Sequence, residues 1–448
     1  MKRDMVRWGN GSLIEYPALG ILAVMWLVLI SPFVSTYLCY VAFLICLYRM
    51  VRYDAKVFAV DYCMLIPVYQ IFRTPAGMSL VIWLCLVAAI WYFVRKKILV
   101  NSVLVCLLLL LNYLIARMQM NINDFVLCFG QIFVLCVLLP RQNPDSAENA
   151  CKVFCWSLAI TSLYALAFRN TPQLATVRGP ETPAIWGTSV MRFMGLIKDP
   201  NYYMTLLLIG LAVLCKLKEA GRLNSVIFWV LGVLLTIFGI LTYSKTFFLV
   251  FVFLGGIYII WQFWSKKIFK GVLFATVVMM AGTYLLFSES SPFAVVMQRL
   301  TSAKNLSDFT TNRSDLFVIY WEAITENVGV FLFGRGLNEP LLYGKGAHNL
   351  YLEIMYYLGF MGLMLILVLY ISMTRGVYKN YPETKRQSRI AQYVVLLIMV
   401  IQYMSLQGLF LLVTYSAWFV AVLSLYISPT VKTDGSLKCN WTYPNTCT

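Results

Sequence analysis

Apolar runs of bilayer length recur from one end of the chain to the other, and nothing else limits the fold so strongly. In hydrocarbon the backbone N–H and C=O groups meet no water, so each run must satisfy them internally. Runs of this length do so as helices rather than as a barrel. Hydrophobic residues make up 61% of the 448 and charged residues only 12%, about half the charged fraction of a soluble domain. The chain therefore reads as an all-α integral membrane protein.

About fourteen spans (twelve to fourteen) are expected. They cover residues 14–33, 35–50, 57–72, 77–94, 98–116, 122–140, 151–168, 200–216, 225–242, 246–264, 270–287, 349–373, 389–406 and 408–428. Most of the 36 Lys and Arg fall on one side if the N-terminus is cytoplasmic, as the positive-inside rule requires. Both termini are then cytoplasmic, and the other side carries few cations in short connections: Arg73, Arg117 and Lys245. The remainder lie in two long external loops, residues 169–199 and 288–348. Long loops obey the charge rule weakly, so this positive charge is not topogenic. The expected organisation is one polytopic domain over 1–430, followed by a short cytoplasmic tail over 431–448.

The formal charge of +17 would suggest nucleic acid for a soluble protein. Here the cations sit in clusters between apolar runs without a basic-aromatic platform, so nucleic acid is excluded as a partner and membrane lipid is the surrounding one. The 12 cysteines lie mostly inside apolar runs without paired spacing, and there is one histidine. No metal site and no cofactor are expected.

The first loop ends in Asp199-Pro200-Asn201 before an apolar run. Asp is a good N-cap and Pro fits the first helical position, so a helix starts here. Capping alone explains Asp199. A helix start also favours anions, which would put a phosphate nearby. The second loop holds an amphipathic helix near 314–327, with Leu316, Ile319, Tyr320, Ala323 and Ile324 on one face and Asp315, Glu322 and Glu326 on the other. Then come "GRGLNEP", with Arg335 between two glycines, and "GKGAHNLYLE", with the sole histidine, His348.

A lipid-linked sugar with a diphosphate leaving group needs such a collection. Arginine holds phosphate through a planar fork that stays charged. Histidine can take the proton of an attacking hydroxyl near neutral pH. Arg178, Arg192, Arg313 and Arg335 supply the cations and His348 the base, with no metal required. Lys245, in "LTYSKTFF", reaches a phosphate or snorkels. Glu353, five residues after His348, can orient it, and Asn349 caps the helix or also orients the imidazole. Each residue has a bland alternative: external arginines bind headgroups, and a lone histidine at a helix start is commonly structural.

The segments "NRSDLFVIYWEAI", "FGRGLNEP" and "AHNLYLEIMYYLGFMGL", with "RFMGLIKDPNYY" and "LTYSKTFF", together resemble the O-antigen ligase and polymerase family over roughly residues 190 to 365. The resemblance implies a GT-C-like membrane glycosyltransferase in the bacterial plasma (inner) membrane. It would act on undecaprenyl-diphosphate-linked oligosaccharide at the outer face. A chain-length regulator protein is an implied partner. His348 matches the family's proposed base, and Arg313 and Arg192 match its loop arginines. Arg335 lies in its G-x-G turn. Lys245 stands where an arginine is often found, and Arg178 has no motif counterpart.

The leading expectation is polymerisation of repeat units into a surface polysaccharide (O-antigen, capsule or exopolysaccharide). In it His348 is the base, and Arg192 and Arg313 hold the diphosphate. The alternative enzyme is a ligase that moves the glycan to lipid A core or another acceptor. The alternative class is a lipid-linked oligosaccharide flippase, which would line a central cavity with intramembrane charge; Asp61 is the clearest such charge here.

Overall fold

A computed structural model describes residues 16–53, 55–95, 109–110, 113, 137–177, 180–183, 189–197, 199–264, 313–337, 339–380, 389–404, 406 and 412–427. The apolar runs within these bounds are helices. In chain order they are α1 (Tyr16–Ile30), α2 (Leu38–Arg52), α3 (Ala55–Leu65), α4 (Leu80–Val94), α5 (Pro144–Phe168), α6 (Pro200–Glu219), α7 (Ser225–Leu241), α8 (Lys245–Trp264), α9 (Arg313–Thr325), α10 (Val328–Phe333), α11 (Leu350–Asn380), α12 (Arg389–Tyr403) and α13 (Leu412–Ser424). The spans expected over 98–116, 122–140 and 270–287 fall almost entirely outside the described residues, and Arg178, the whole of 288–312 and the tail lie outside them. Every other expected span overlaps a helix. Among the described residues, the strands are a short antiparallel pair in the first loop, β1 (Glu181–Pro183) against β2 (Ser189–Met191).

Helix starts follow local chemistry. Asn143 and Ser146 close a reciprocal capping box at α5, with Pro144 at its first position. Asn224 accepts the amide of Val226 at α7, and Asn327 accepts that of Val330 at α10. Each side chain satisfies an amide that the helix itself leaves unpaired.

Helix α6 is the hub, packed against α5, α7, α8, α12 and α13. Among the described residues three helices are long and apolar enough to cross a membrane, and α6 is the most enclosed of them, 78% buried against 50% for the other two. Gly210 is part of the reason: a Cβ there would stand 3.1 Å from both Leu158 of α5 and Leu235 of α7. The hydroxyls of Ser162 and Tyr203 share a hydrogen bond at 2.5 Å, which joins α5 to α6.

The outward faces are also apolar: Leu22 and Trp26 on α1, Trp229 and Val233 on α7, Leu249 and Val252 on α8 are all exposed. Contiguous apolar surface of this kind suits lipid rather than water. Inside, Asp61 of α3 is not a lone charge. Arg49 of α2 donates to both its carboxylate oxygens, at 2.8 and 2.9 Å, and both side chains are buried. Gly20 of α1 leaves room for that guanidinium.

The amphipathic helix is α9. Leu316, Tyr320 and Ile324 are buried as the i, i+4 pattern predicts, against α11. Its other face differs from expectation. Phe317, Val318 and Trp321 are exposed beside Asp315 and Glu322, so the outward side is mixed rather than acidic. A helix with one face on protein and apolar residues outward fits a place at the lipid boundary.

Candidate functional site

The site is built on the first turn of α6. Asp199 caps it, its Oδ1 accepting the amides of Asn201 at 2.6 Å and Tyr202 at 3.4 Å. The anion-binding amides at this helix start are therefore taken by the protein's own carboxylate, which argues against the helix end itself as the phosphate cradle.

Two other segments place a side chain in the field of this carboxylate. Arg313 is the first residue of α9, and His348 precedes α11 by two positions. Both feel the charge of Asp199, and His348 also feels that of Arg313. Burial first, then the Arg313 cation, holds the imidazole below the ordinary histidine value of 6.5; Asp199 opposes this. His348 is accordingly neutral at pH 7 and can accept a proton. Burial also lowers Arg313, with Asp199 and then Tyr202 supporting its charge.

The backbone around His348 is strained and pinned. His348 adopts φ 48°, in the left-handed region, at a cost of about 1–2 kcal/mol for a residue with a Cβ. The loop before it is clamped from both sides: Tyr320 of α9 donates to the carbonyl of Lys345 at 2.7 Å, and Tyr356 of α11 to that of Pro340 at 3.0 Å. The two rings meet edge to face, 5.0 Å apart. Immediately after, Asn349 accepts the amides of Tyr351 and Leu352 at 3.0 and 3.1 Å. Asn349 is thus the cap of α11.

Arg192 reaches the same helix start through Asn201. It leaves β2 with its amide on the carbonyl of Pro180. Its Nε donates to the Thr242 carbonyl at 2.8 Å and a terminal nitrogen donates to Asn201 at 3.2 Å. Asn201 therefore orients Arg192. Lys245 opens α8 three residues beyond Thr242, across Tyr243, which also has a left-handed φ of 49°.

Sequence reasoning missed Tyr202 and Tyr69. The hydroxyl of Tyr202 lies in the field of Asp199, Glu353, Tyr69 and Arg313 at once, so Glu353 faces the same centre. Tyr202 was within reach of a register argument, one turn into a capped helix. Tyr69 follows α3, and no local pattern ties it to Asp199.

Arg335 is placed elsewhere. It pairs with Glu326 and Glu339 and donates to the carbonyl of Ala323. Ala323 and Glu326 lie at the far end of α9 from Arg313, roughly 18 Å along the helix. Its neighbouring glycines have a different task. Helix α11 breaks at Gly359 (φ 67°, ψ −175°), which frees carbonyls. The amide of Arg335 donates to Tyr356 at 2.8 Å and that of Gly336 to Tyr357 at 3.0 Å, while Tyr113 donates to Leu358. The G-R-G turn repairs the break.

A cavity of about 240 Å³ has its first lining residue on α11 two positions after His348. It follows α11 from Leu350 and Tyr351 to Thr374 and is walled on its other side by Tyr403 and Trp418.

Apolar helices with apolar outward faces, carrying a half-buried polar centre at the start of α6, define a helical membrane protein. No protein-family model matches the chain, and a search of curated proteins finds no match to it.

Proposed function

We propose that the protein is a membrane glycosyltransferase that polymerises polyprenyl-diphosphate-linked oligosaccharides at the outer face of the bacterial plasma membrane. The observation that carries this reading is the convergence of His348 and Arg313 on Asp199, from three segments distant in sequence. A neutral imidazole and a fixed guanidinium are the two groups that displacement of a diphosphate demands.

In the proposed reaction His348 takes the proton of an acceptor sugar hydroxyl. That oxygen attacks the anomeric carbon of the donor, with inversion, as the bond to the diphosphate oxygen breaks. The electron pair leaves with the diphosphate, whose charge Arg313 and Arg192 stabilise. Asp199 keeps Arg313 oriented, and Asn201 does the same for Arg192. No metal enters the scheme. The apolar cavity starting two residues after His348 supports a substrate with a lipid chain. The scheme carries with it a fourteen-span, GT-C-like bundle with both ends cytoplasmic, since the positive-inside count then sets this end of the bundle outside.

The test is glycan chain length on a gel, in a host strain lacking the native gene. His348→Ala should abolish polymer and leave single repeats, a loss of about 10²–10⁴-fold in rate. Full-length polymer from well-expressed His348→Ala protein would overturn the assignment. Intact polymer that fails to reach its final acceptor would instead identify a ligase.

A further inference from the structure

The loop between the G-R-G turn and α11 is fixed at three points. Tyr356 of α11 donates to the carbonyl of Pro340 at 3.0 Å, and Tyr320 of α9 donates to that of Lys345 at 2.7 Å. The third point is the start of α11, where Asn349 accepts the amides of Tyr351 and Leu352 and its carbonyl accepts the Glu353 amide at 3.0 Å. Between the last two points lie only Gly346, Ala347 and His348, a stretch too short to take up slack. Tyr320 is itself firmly seated. It is 1% exposed, and its ring meets that of the buried Tyr356 edge to face at 5.0 Å.

This hydroxyl bears directly on the backbone of the histidine. His348 adopts a left-handed φ of 48°, and a residue with a Cβ stays in that region only when its surroundings impose it. The net worth of a single hydrogen bond is of the same order as that strain. The bond from Tyr320 to Lys345 is therefore large enough to decide whether His348 is held strained or relaxes.

We propose that Tyr320 is a positioning residue for the general base: through the Lys345 carbonyl, its hydroxyl keeps His348 in the strained backbone that presents the imidazole to the acceptor hydroxyl. The inference rests on the glycosyltransferase reading above. It gives α9 two tasks at once, because Arg313 opens the helix two turns before Tyr320. The cation for the diphosphate and the anchor of the base are then set by one rigid element.

The test exploits His348 as the sole histidine of the chain. Full-length protein with isotope-labelled histidine and a histidine-free affinity tag is placed in nanodiscs, and its one imidazole is titrated by NMR. Tyr320→Phe removes the hydroxyl and keeps the ring. In this variant the imidazole pKa should rise toward the ordinary value of 6.5, because burial and the Arg313 cation of α9 hold it down and outweigh the opposing Asp199 at the start of α6. Polymerisation should fall about tenfold to hundredfold in kcat, with KM for the lipid-linked donor unchanged, as misplacement of a base predicts. The melting curve should stay close to wild type, since released strain offsets the lost bond. An unmoved titration overturns the inference, and so does a moved one with wild-type kcat. Activity lost only in step with folded protein overturns it too, leaving Tyr320 a structural residue. The titration needs no turnover, and chain length in His348→Ala judges the enzyme reading separately.

Discussion

Gly334 and Gly359 lie backbone to backbone where α10 meets the break in α11. A Cβ on Gly334 would stand 2.5 Å from the amide nitrogen of Gly359, and one on Gly359 would stand 2.5 Å from that of Gly334. Both have positive φ, 72° and 67°. This contact brings the Arg335 and Gly336 amides to the carbonyls of Tyr356 and Tyr357. It also sets the part of α11 that carries Tyr356, whose hydroxyl pins the loop before His348.

Alanine at either glycine should therefore destabilise the protein by roughly 2–5 kcal/mol, combining backbone strain with overpacking. The variants should melt earlier in detergent. They should also lose activity beyond the lost folded fraction, because the histidine loop is misplaced. An alanine variant with the wild-type melting curve would sink this account.

The pH profile should report His348. Its pKa is depressed, so the neutral base persists below pH 6.5 and activity falls only on further acidification. Removing the cation with Arg313→Gln should raise that pKa and move the acidic limb to higher pH. Removing the anion with Asp199→Asn keeps a competent helix cap and should move the limb to lower pH. Rates across pH 4–8 for the three proteins check the two opposite shifts; limbs that stay in place would mean that another group titrates.

Arg335 should behave as a clamp of the α9–α10 corner. Its partners Glu326 and Glu339 are partly exposed, so Arg335→Ala should cost only about 1 kcal/mol. A charge swap, Arg335→Glu with Glu326→Arg, should recover part of it in thermal melts. Failure of the swap to recover any stability would point to the Ala323 and backbone contacts as the whole effect.

The Arg49–Asp61 pair should be far more sensitive. Both side chains are buried and joined by two hydrogen bonds, so removing one leaves a bare charge away from water. Asp61→Asn or Arg49→Gln should cost roughly 3–5 kcal/mol, whereas Arg49→Met with Asp61→Leu should restore most of it. Expression and melting of the three variants decide between a structural staple and a functional charge. A stable double variant without activity would favour the latter.

What the amino-acid sequence determined by itself is whatever local chemistry settles. The apolar runs become helices because backbone groups in hydrocarbon have no other partner. Asp199 and Asn349 start α6 and α11 because their side chains reach amides two or three residues ahead. Leu316, Tyr320 and Ile324 bury one face of α9 because they are four apart. The candidate residues His348, Arg313 and Arg192 were legible on the same terms, as cations and a base gathered near capped helix starts. Only the tertiary structure decided their company. It set Arg313, His348 and Tyr69 in the field of Asp199, and committed Arg335 to Glu326 instead. It also turned the glycines of the G-R-G segment from a loop motif into the partner of a broken helix. These pairings join residues tens to hundreds of positions apart. They depend on which helices pack together, and no window of sequence shorter than the fold carries that information.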